Sequence, residues 1–483
     1  MVNPSFSAAG PATAPLPAPA WLRASQLLAL GLTGAAYWVL AYATPRSHFG
    51  QLLALFAVAG AAYAWLLHTR LPLRWGLGAA LLVRLLWLPA TPALSDDFYR
   101  FRWDGLLASH GISPFAHTPR QLLAELARPA PAAGVAPAAG ALPELRRIFP
   151  HLNSPDYFSV YPPVCQWLYQ GAATAFPTSQ TGFLVVVRAT LLLADAGAAA
   201  LLLWLLPLTG WPARRALGYL LHPLVVVEAV GNVHMEGVVV AWLLLTGGLL
   251  LRGRRYWAAG ALALAVATKL LPLLALPLLA RHLGWRRFWG FGAGLLGWLG
   301  MLFVPYVSWQ LLLHIGQSLG LYFHYFEFNA GVFYLLRAAG QWLVGYDPVG
   351  VLGPLLGLAA LGLTGWLAQR EARPPLARLP HLLLVTLSGY FALATTVHPW
   401  YLVPLVGLSC FSPLRYARGW AGLVVLSYAA YRTSAYTESA VFLTLEYAGV
   451  LAWAAWEVGV NARVGRSDGS PRPLAPSPVE REN

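Results

Sequence analysis

Long apolar runs separated by short polar turns fill most of this chain. They lie at 22–44, 49–68, 75–94, 182–206, 216–230, 237–251, 288–308, 348–368, 380–397, 401–413, 419–435 and 440–458. A helix needs about 20 predominantly apolar residues to cross a bilayer. The pattern therefore predicts an all-α polytopic membrane protein of about 12–14 transmembrane helices. One long interval breaks the rhythm: residues 95–180 form an extended loop, in which 162–176 has the one-sided apolar pattern of a helix lying along the membrane surface. Residues 129–142 are low-complexity and receive no predicted structure. The chain divides into a tail at 1–20, a single membrane domain at 21–460 and a second tail at 461–483.

Arginine sets the orientation. The pairs and triplets Arg70/Arg74, Arg214/Arg215, Arg252/Arg254/Arg255, Arg281/Arg286/Arg287, Arg370/Arg373/Arg378 and Arg415/Arg418 all fall in short turns between apolar runs. Basic turns stay in the cytoplasm, which predicts both termini inside and the 95–180 loop outside. Residues 256–281 have arginine at both ends, so one crossing would break the rule. A hairpin of two short helices, broken near Lys269 and Pro272, satisfies it and carries Lys269 towards the outer leaflet.

Composition narrows the class further. The 483 residues are 58% hydrophobic and only 10% charged, with a formal net charge of +14. Such basicity can signal nucleic acid, but arginines dispersed between spans do not form a nucleic-acid face. Cys165 and Cys410 are the two cysteines and are expected to stay free. No Cys/His cluster has metal-ligand spacing, and no metal or other cofactor is expected.

Against this sparsely charged background, Ser95–Pro119 (SDDFYRFRWDGLLASHGISPFAHTP) stands out. About ten residues hold Asp96, Asp97, Asp104, Arg100, Arg102 and the aromatics Phe98, Tyr99 and Trp103. Asp97, Arg100 and Asp104 share one face of a helix, and the adjacent Asp96 must point elsewhere. A capped, solvated loop would account for the acids; it would not account for aromatics among them beside a span. Tyr157, Tyr161, Trp167 and Tyr169 line either a substrate cleft or a headgroup belt. Further clusters follow on the same predicted side: Asn232, His234 and Glu236 with nearby Glu228, then Lys269, Asn329, Arg337 and His398. Lys269 is the only lysine in a chain that otherwise uses arginine. Within the spans, Arg84 is expected to face the bundle interior, and Arg188 and Asp195 share a face two turns apart without touching.

Read as SDDxYRxxWDG…GxxPFxxxP, the first loop resembles that of bacterial polyprenyl-phosphate-mannose-dependent mannosyltransferases, integral-membrane glycosyltransferases of the C-type superfamily. The resemblance extends through His151-Leu-Asn-Ser-Pro-Asp-Tyr157, Tyr161-Pro-Pro163, Gly231-Asn-Val-His-Met-Glu236, Lys269, Phe328-Asn329-Ala-Gly331 and His398-Pro-Trp-Tyr401. It covers residues 75–405, in order; the family pattern has Asp where Glu236 stands.

The resemblance implies inverting transfer of a hexose, mannose by analogy, from a polyprenyl-phosphate donor to an envelope glycan or glycolipid, at the external face of the inner membrane. It implies an external-loop aspartate as base, Asp96 or Asp97, with no nucleotide sugar. The chemistry needs a carboxylate to take the acceptor proton and a cation for the departing phosphate. Lys269, Arg337 and His398 are candidates for the cation. Arg100, Trp103, Asp104, His234, Glu236 and Asn329 complete the expected substrate-binding set. The partners are thus the lipid-linked sugar, the glycan acceptor and membrane lipid, with no nucleic acid. A transporter or flippase of lipid-linked saccharides is the alternative. It accounts for the spans and embedded charges, but not for the acidic-aromatic loop.

Overall fold

A computed structural model describes residues 19–324, 326–433 and 436–467. The expected tails fall on 1–18 and 468–483, outside the described residues, apart from a final helix that continues past residue 460. Among the described residues there are helices and no β-strand; one isolated bridge joins Phe328 to Thr396.

The chain opens with α1 (Ala20–Tyr42), α2 (Phe49–His68) and the shorter α3 (Leu73–Leu85). The interval that follows holds α4 (Asp97–Ser109), α5 (Pro119–Leu126), α6 (Leu142–Ile148) and α7 (Pro163–Ala175). Next come α8 (Gln180–Leu208), the single turn α9 (Leu217–Leu220), a π-helical turn over Val225–Gly231, and α10 (Glu236–Leu251). The second half comprises α11 (Arg255–Val266), α12 (Leu276–Leu283), α13 (Trp285–Phe303), α14 (Trp309–His324), α15 (Gly331–Val344), α16 (Val349–Arg370), α17 (Leu379–Leu393), α18 (Val403–Ser409), α19 (Tyr416–Leu423) and α20 (Ala440–Ser467).

Seven helices among the described residues are long and apolar enough to cross a membrane: α1, α2, α8, α13, α16, α17 and α20. The π turn and α10 make an eighth if counted as one span bent by 104°. The other apolar runs are helical but short or broken. At 13 residues, α3 reaches about 20 Å, two-thirds of a bilayer core; Pro89 and Pro92 follow it. Such pieces tolerate interruption because they lie inside the bundle, with Val225–Gly231 and Val403–Ser409 buried throughout.

Residues 255–283 double back. α11 and α13 run parallel, since Ala259 meets Gly294 and Gly260 meets Trp298, so α12 must return the chain between them. Lys269 lies at the turn.

The bundle has two chemically distinct ends. At one, Arg214 donates to the Leu67 carbonyl at 3.5 Å, Arg215 to that of Ser409 at 3.2 Å, and His282 bonds the Pro374 carbonyl at 2.9 Å. At the other, the 95–180 interval closes over the broken helices. There Val164 N–H reaches the Ala267 carbonyl at 3.0 Å, and His314 stacks on Phe158 at 3.6 Å.

That interval has its own core. α7 packs on α4 so closely that a Cβ at Gly105 would come within 2.3 Å of the Tyr169 carbonyl oxygen; only glycine fits there. The apolar face of α7, with Cys165, Tyr169, Ala172 and Ala173 buried, is thus covered by protein and not by lipid. Tyr169 stacks flat on Phe101 inside this core, Tyr161 meets the same ring edge-on, and Tyr157 packs against Phe326. Trp167 stays exposed. The low-complexity stretch is ordered too: Val135, Ala138 and Ala141 are buried in the same cluster, small side chains filling the space beside α4.

Two arginines in the apolar bundle act as internal ties. Arg84 Nε pairs with Asp195 at 2.7 Å, and its Nη1 reaches the Leu220 carbonyl at 2.6 Å. Arg188 has no carboxylate partner among the described residues. It collects the carbonyls of Val230 (3.0 Å), Gly231 (2.7 Å), Leu88 (3.1 Å) and Ala90. These are the orphan carbonyls where the π turn and the α3 segment end. The tie fixes the break at 232–235 against the irregular segment that leads to Asp96.

Candidate active site

The two adjacent aspartates at the start of α4 face different partners, as consecutive positions on a helix must. Asp96 pairs with Arg46, in the α1–α2 turn, at 2.6 Å; both side chains are about a third exposed. Arg46 also donates to Tyr436 Oη at 3.1 Å and lies over the Tyr431 ring. Asp97 turns inward. Asn153 donates to its Oδ1 at 2.9 Å, and Nε2 of His234 lies 3.8 Å from Oδ2, an ion-pair contact longer than a hydrogen bond.

Arg100 and Asp104 serve this arrangement from beneath. Arg100 Nε bonds Asp104 Oδ1 at 2.9 Å, and its Nη1 reaches the carbonyls of Ser154 (3.2 Å) and Tyr157 (2.9 Å). Asp104 also accepts from Ser159 and, at 3.1 Å, from Gln166. The pair, fully buried with Trp103, clamps the loop that brings Asn153 to Asp97. Arg100 and Asp104 are thus bonded to each other and to the loop, and Trp103 lies in the core of the interval; Trp103 Nε1 and Arg100 Nη2 have no hydrogen-bond partner among the described residues.

His234 stands in the turn between the π segment and α10. Wider π turns recur at functional sites, and the backbone at Val233 adopts φ +58°, a left-handed conformation rare for a β-branched residue. Nδ1 of the imidazole lies 3.1 Å from Oε2 of Glu228, which is wholly buried and accepts from Asn232 at 3.1 Å and from Tyr428. Nε2 is buried without a hydrogen-bond partner in the protein, aimed at Asp97. Burial opposes charge on this ring, but the carboxylates of Asp97 and Glu228 outweigh it and hold the pKa at about 9. Burial likewise pushes Asp97 up; contact with His234 and Asn153 leaves it below the ordinary carboxylate value. At neutral pH the pair is carboxylate and imidazolium.

Beside them Lys269, at the hairpin turn, pairs with Glu236, the first residue of α10, and lies 4.4 Å over the Tyr401 ring. Its side chain is 36% exposed while that of Glu236 is 3%. Oε2 of Glu236 and Nδ1 of His398 are further buried atoms without a protein hydrogen bond. Trp400 joins the parts by stacking on His234 at 3.9 Å and on His398 at 4.4 Å, and His398 stacks on Phe328. Burial, reinforced by Lys269 and His234, pushes His398 down to about 3, so this ring is neutral at physiological pH.

The structure thus brings together Asp97, His234, Glu236, Lys269 and His398, from four separate segments. It places the remaining two expected residues elsewhere. Asn329, with φ +51°, spends its amide on Glu446 (3.1 Å) and the Val397 carbonyl (3.4 Å), while its own carbonyl accepts from Tyr447. It anchors the loop that carries Phe328. Arg337 is held at the surface between Glu327 and Asp347. Arg46, Tyr428 and Tyr436 were not legible as site residues. Arg46 did carry a signal: it is the one arginine in the short turn between the first two apolar runs. Among the described residues no group of three or more His, Cys, Asp and Glu is arranged to hold a metal.

A carboxylate in contact with an imidazolium, with a partly exposed ammonium in the same cluster, can accept a proton and stabilise a nearby anion. The chain matches the family described as alpha-(1->6)-mannopyranosyltransferase, N-terminal domain, over residues 18–284, more than half its length. It belongs to that family and is a membrane mannosyltransferase. The matched segment contains Asp97, Glu228, His234, Glu236 and Lys269; Trp400 and His398 come from beyond it. No curated protein matches the chain.

Proposed function

We propose that this mannosyltransferase takes mannose from a polyprenyl-phosphate donor. It transfers the sugar, with inversion, to a hydroxyl of an envelope glycan or glycolipid at the external face of the cell membrane. One observation supports this most: Asp97 pairs with His234, and Trp400, stacked on His234, adjoins Tyr401, whose ring lies under Lys269, at the bundle end opposite the arginine-rich turns. Basic turns favour the cytoplasm, so the site end is external.

The chemistry follows from the geometry. The acceptor hydroxyl loses its proton to Asp97 as its oxygen bonds the anomeric carbon. The bond from that carbon to the phosphate oxygen breaks on the opposite face, and the electron pair leaves with the lipid phosphate. Attack from one face and departure from the other inverts the centre. The growing phosphate charge is met by Lys269 and the Nε2–H of His234, fixed donors in a site with little water. Glu236 balances Lys269 between turnovers and leaves its other N–H groups for phosphate oxygens. Neutral His398, half-buried and backed by the buried Trp400 ring, contacts the sugar. Asp96, held by Arg46, shapes the mouth through which the acceptor arrives.

The test is transfer by the full chain in nanodiscs, supplied with mannosyl phosphoprenol and an α-mannoside acceptor. The expected product carries the anomer opposite to that of the donor, read by NMR. Transfer from a nucleotide sugar instead, retention of the anomer, or passage of donor across the bilayer with no new bond would each overturn the reading.

A further inference from the structure

One turn beyond a buried link of the site stands an aromatic ring that the transfer chemistry does not use. Residues Val424–Arg432 form a 3-10 helix, in which side chains three apart eclipse, about 6 Å between turns. Tyr428 and Tyr431 are such a pair, with ring centroids 5.8 Å apart. Tyr428 is wholly buried and spends its hydroxyl on Glu228, behind His234. Tyr431 lies a turn further on and is half-buried. Its ring meets Phe328 at 6.1 Å and Tyr436 edge-on at 5.7 Å.

Arg46 reaches this ring from the opposite end of the chain. It stands in the α1–α2 turn, which is braced by Gln51 donating to the Ala43 carbonyl at 3.0 Å and His48 N–H to that of Pro45 at 2.9 Å. Its guanidinium lies 5.4 Å from the Tyr431 ring and 5.8 Å from that of Tyr436, both cation–π distances. The same group pairs with Asp96. The contacts therefore close on themselves: from Asp97 along the stack between His234 and Phe328, then by Tyr431 and Arg46 to Asp96. Of these six, only His234 is buried; the others are half-buried, so the circuit has an open side. Backbone strain gathers along it. Val233, Asn329 and Tyr436 are three of the five non-glycine residues with left-handed φ among the described residues, and each adjoins or touches a member of the circuit.

We propose that Tyr431, Arg46 and Asp96 form a subsite for the acceptor saccharide. The assignment rests on the transfer reading above and adds where the acceptor is held. A pyranose offers an apolar C–H face and a rim of hydroxyls that both donate and accept. Tyr431 takes the face. The Arg46 guanidinium donates to a hydroxyl oxygen, and the Asp96 carboxylate accepts from a hydroxyl. Charge argues against the donor phosphate in this corner: Asp96 and Asp97 set two carboxylates beside one guanidinium, and like charges there cost an anion its binding. Lys269, the phosphate's partner, is linked to Tyr431 only through Phe328, His398 and Tyr401. The subsite adjoins Asp97, the group that takes the acceptor's proton, and so sets which hydroxyl is presented to it.

Tyr431→Ala, Tyr431→Phe and Arg46→Gln are compared with the unaltered chain in nanodiscs, on mannosyl phosphoprenol and methyl α-mannoside. Tyr431→Ala should raise the KM for the mannoside roughly tenfold, from lost contact with the sugar's apolar face. Arg46→Gln should raise it roughly tenfold, from a lost hydrogen bond to a charged group. Tyr431→Phe keeps the ring and should keep the KM. The losses should fall on the mannoside KM and not on kcat or the donor KM, a split that misfolding would not produce. Arg46 lies in a surface turn, so its variant decides the matter even if Tyr431→Ala fails to insert. A mannoside KM unmoved in either inserted variant, or a donor KM raised as much, would overturn the proposal. A binding arm separates it from the transfer reading: saturation-transfer NMR of methyl α-mannoside, without donor, should show binding to the unaltered chain that Arg46→Gln weakens. If the unaltered chain bound the mannoside in this way but transferred no mannose, the lipid-phosphate reading would fall and the subsite would stand. Transfer by the unaltered chain with equal binding by the variant would sink the subsite alone.

Discussion

Nε2 of His234 stands 3.8 Å from Oδ2 of Asp97, and through this contact the start of α4 meets the turn before α10, 137 residues later. Behind it, Glu228 holds the other ring nitrogen. One imidazole therefore bridges the candidate base and a buried carboxylate, and most of the expected behaviour follows from that line.

Asp97→Asn removes the proton acceptor and keeps the shape. Turnover should fall by about 10²–10⁴-fold, the usual loss for a general base. Asp96→Asn breaks only the contact with Arg46 and should mainly raise the acceptor KM. Equal losses in kcat for the two variants, measured with purified protein, would show that the structure misassigns the base.

The pH profile should carry the mark of His234. Its pKa is raised to about 9, so the imidazolium is present below that value and lost as pH rises through it. Activity should decline along a basic limb near pH 9. Glu228→Gln retains a hydrogen-bond acceptor but removes a negative charge, and the limb should move towards the ordinary histidine range. An unmoved limb in that variant would detach His234 from the rate.

Lys269→Met should raise the donor KM and lower kcat with the protein still inserted, whereas Lys269→Arg should recover part of the loss. Arginine keeps the charge but not the compact ammonium that lies over Tyr401. Glu236→Gln should tighten binding of the lipid phosphate, because it frees Lys269 of its counter-ion. Unchanged donor affinity in Lys269→Met, measured by titration in nanodiscs, would leave His234 as the phosphate's partner.

Native cysteines do not report topology, since Cys165 and Cys410 are both buried. Single cysteines placed at exposed Arg128, in the 95–180 interval, and at exposed Arg373, in an arginine-rich turn, do. With both native cysteines replaced by serine, Arg128→Cys should react with an impermeant maleimide on intact cells, and Arg373→Cys only after lysis. The reverse pattern would put the site in the cytoplasm.

Arg84 and Asp195 are 3% and 7% exposed, so losing either partner strands a charge in the bundle. Each single change, Arg84→Met or Asp195→Leu, should cost about 3–5 kcal/mol of stability, seen as a shortened half-life in detergent. The double variant should be more stable than either single one; simple addition of the two losses would show that the pair is not coupled.

Much of this was legible in the chain. Apolar run length decides membrane residence, and it marked α1, α2, α8, α16 and α20 to within a few residues at most boundaries. The arginine pattern required residues 256–281 to turn back, and the parallel pair α11 and α13 shows that they do. Helical spacing separated Asp96 from Asp97 and joined Arg100 to Asp104.

The rest is a matter of distance in space. Hydropathy measures how apolar a segment is, not whether neighbours cover it, so it could not distinguish a true span from the buried, broken pieces at 217–231 and 403–409. Nor could local pattern say which acid serves as base. Asp96 and Asp97 differ only in what stands opposite them, and Arg46 and His234 reach that place from opposite sides of the sequence. Asn329 and Arg337 had the right chemistry and fell on the same predicted side as the site. Only the folded chain shows their polar groups bound to other parts of the protein. Composition and periodicity act residue by residue and so fixed the class of the molecule; a site built from four segments exists only once packing has brought them together.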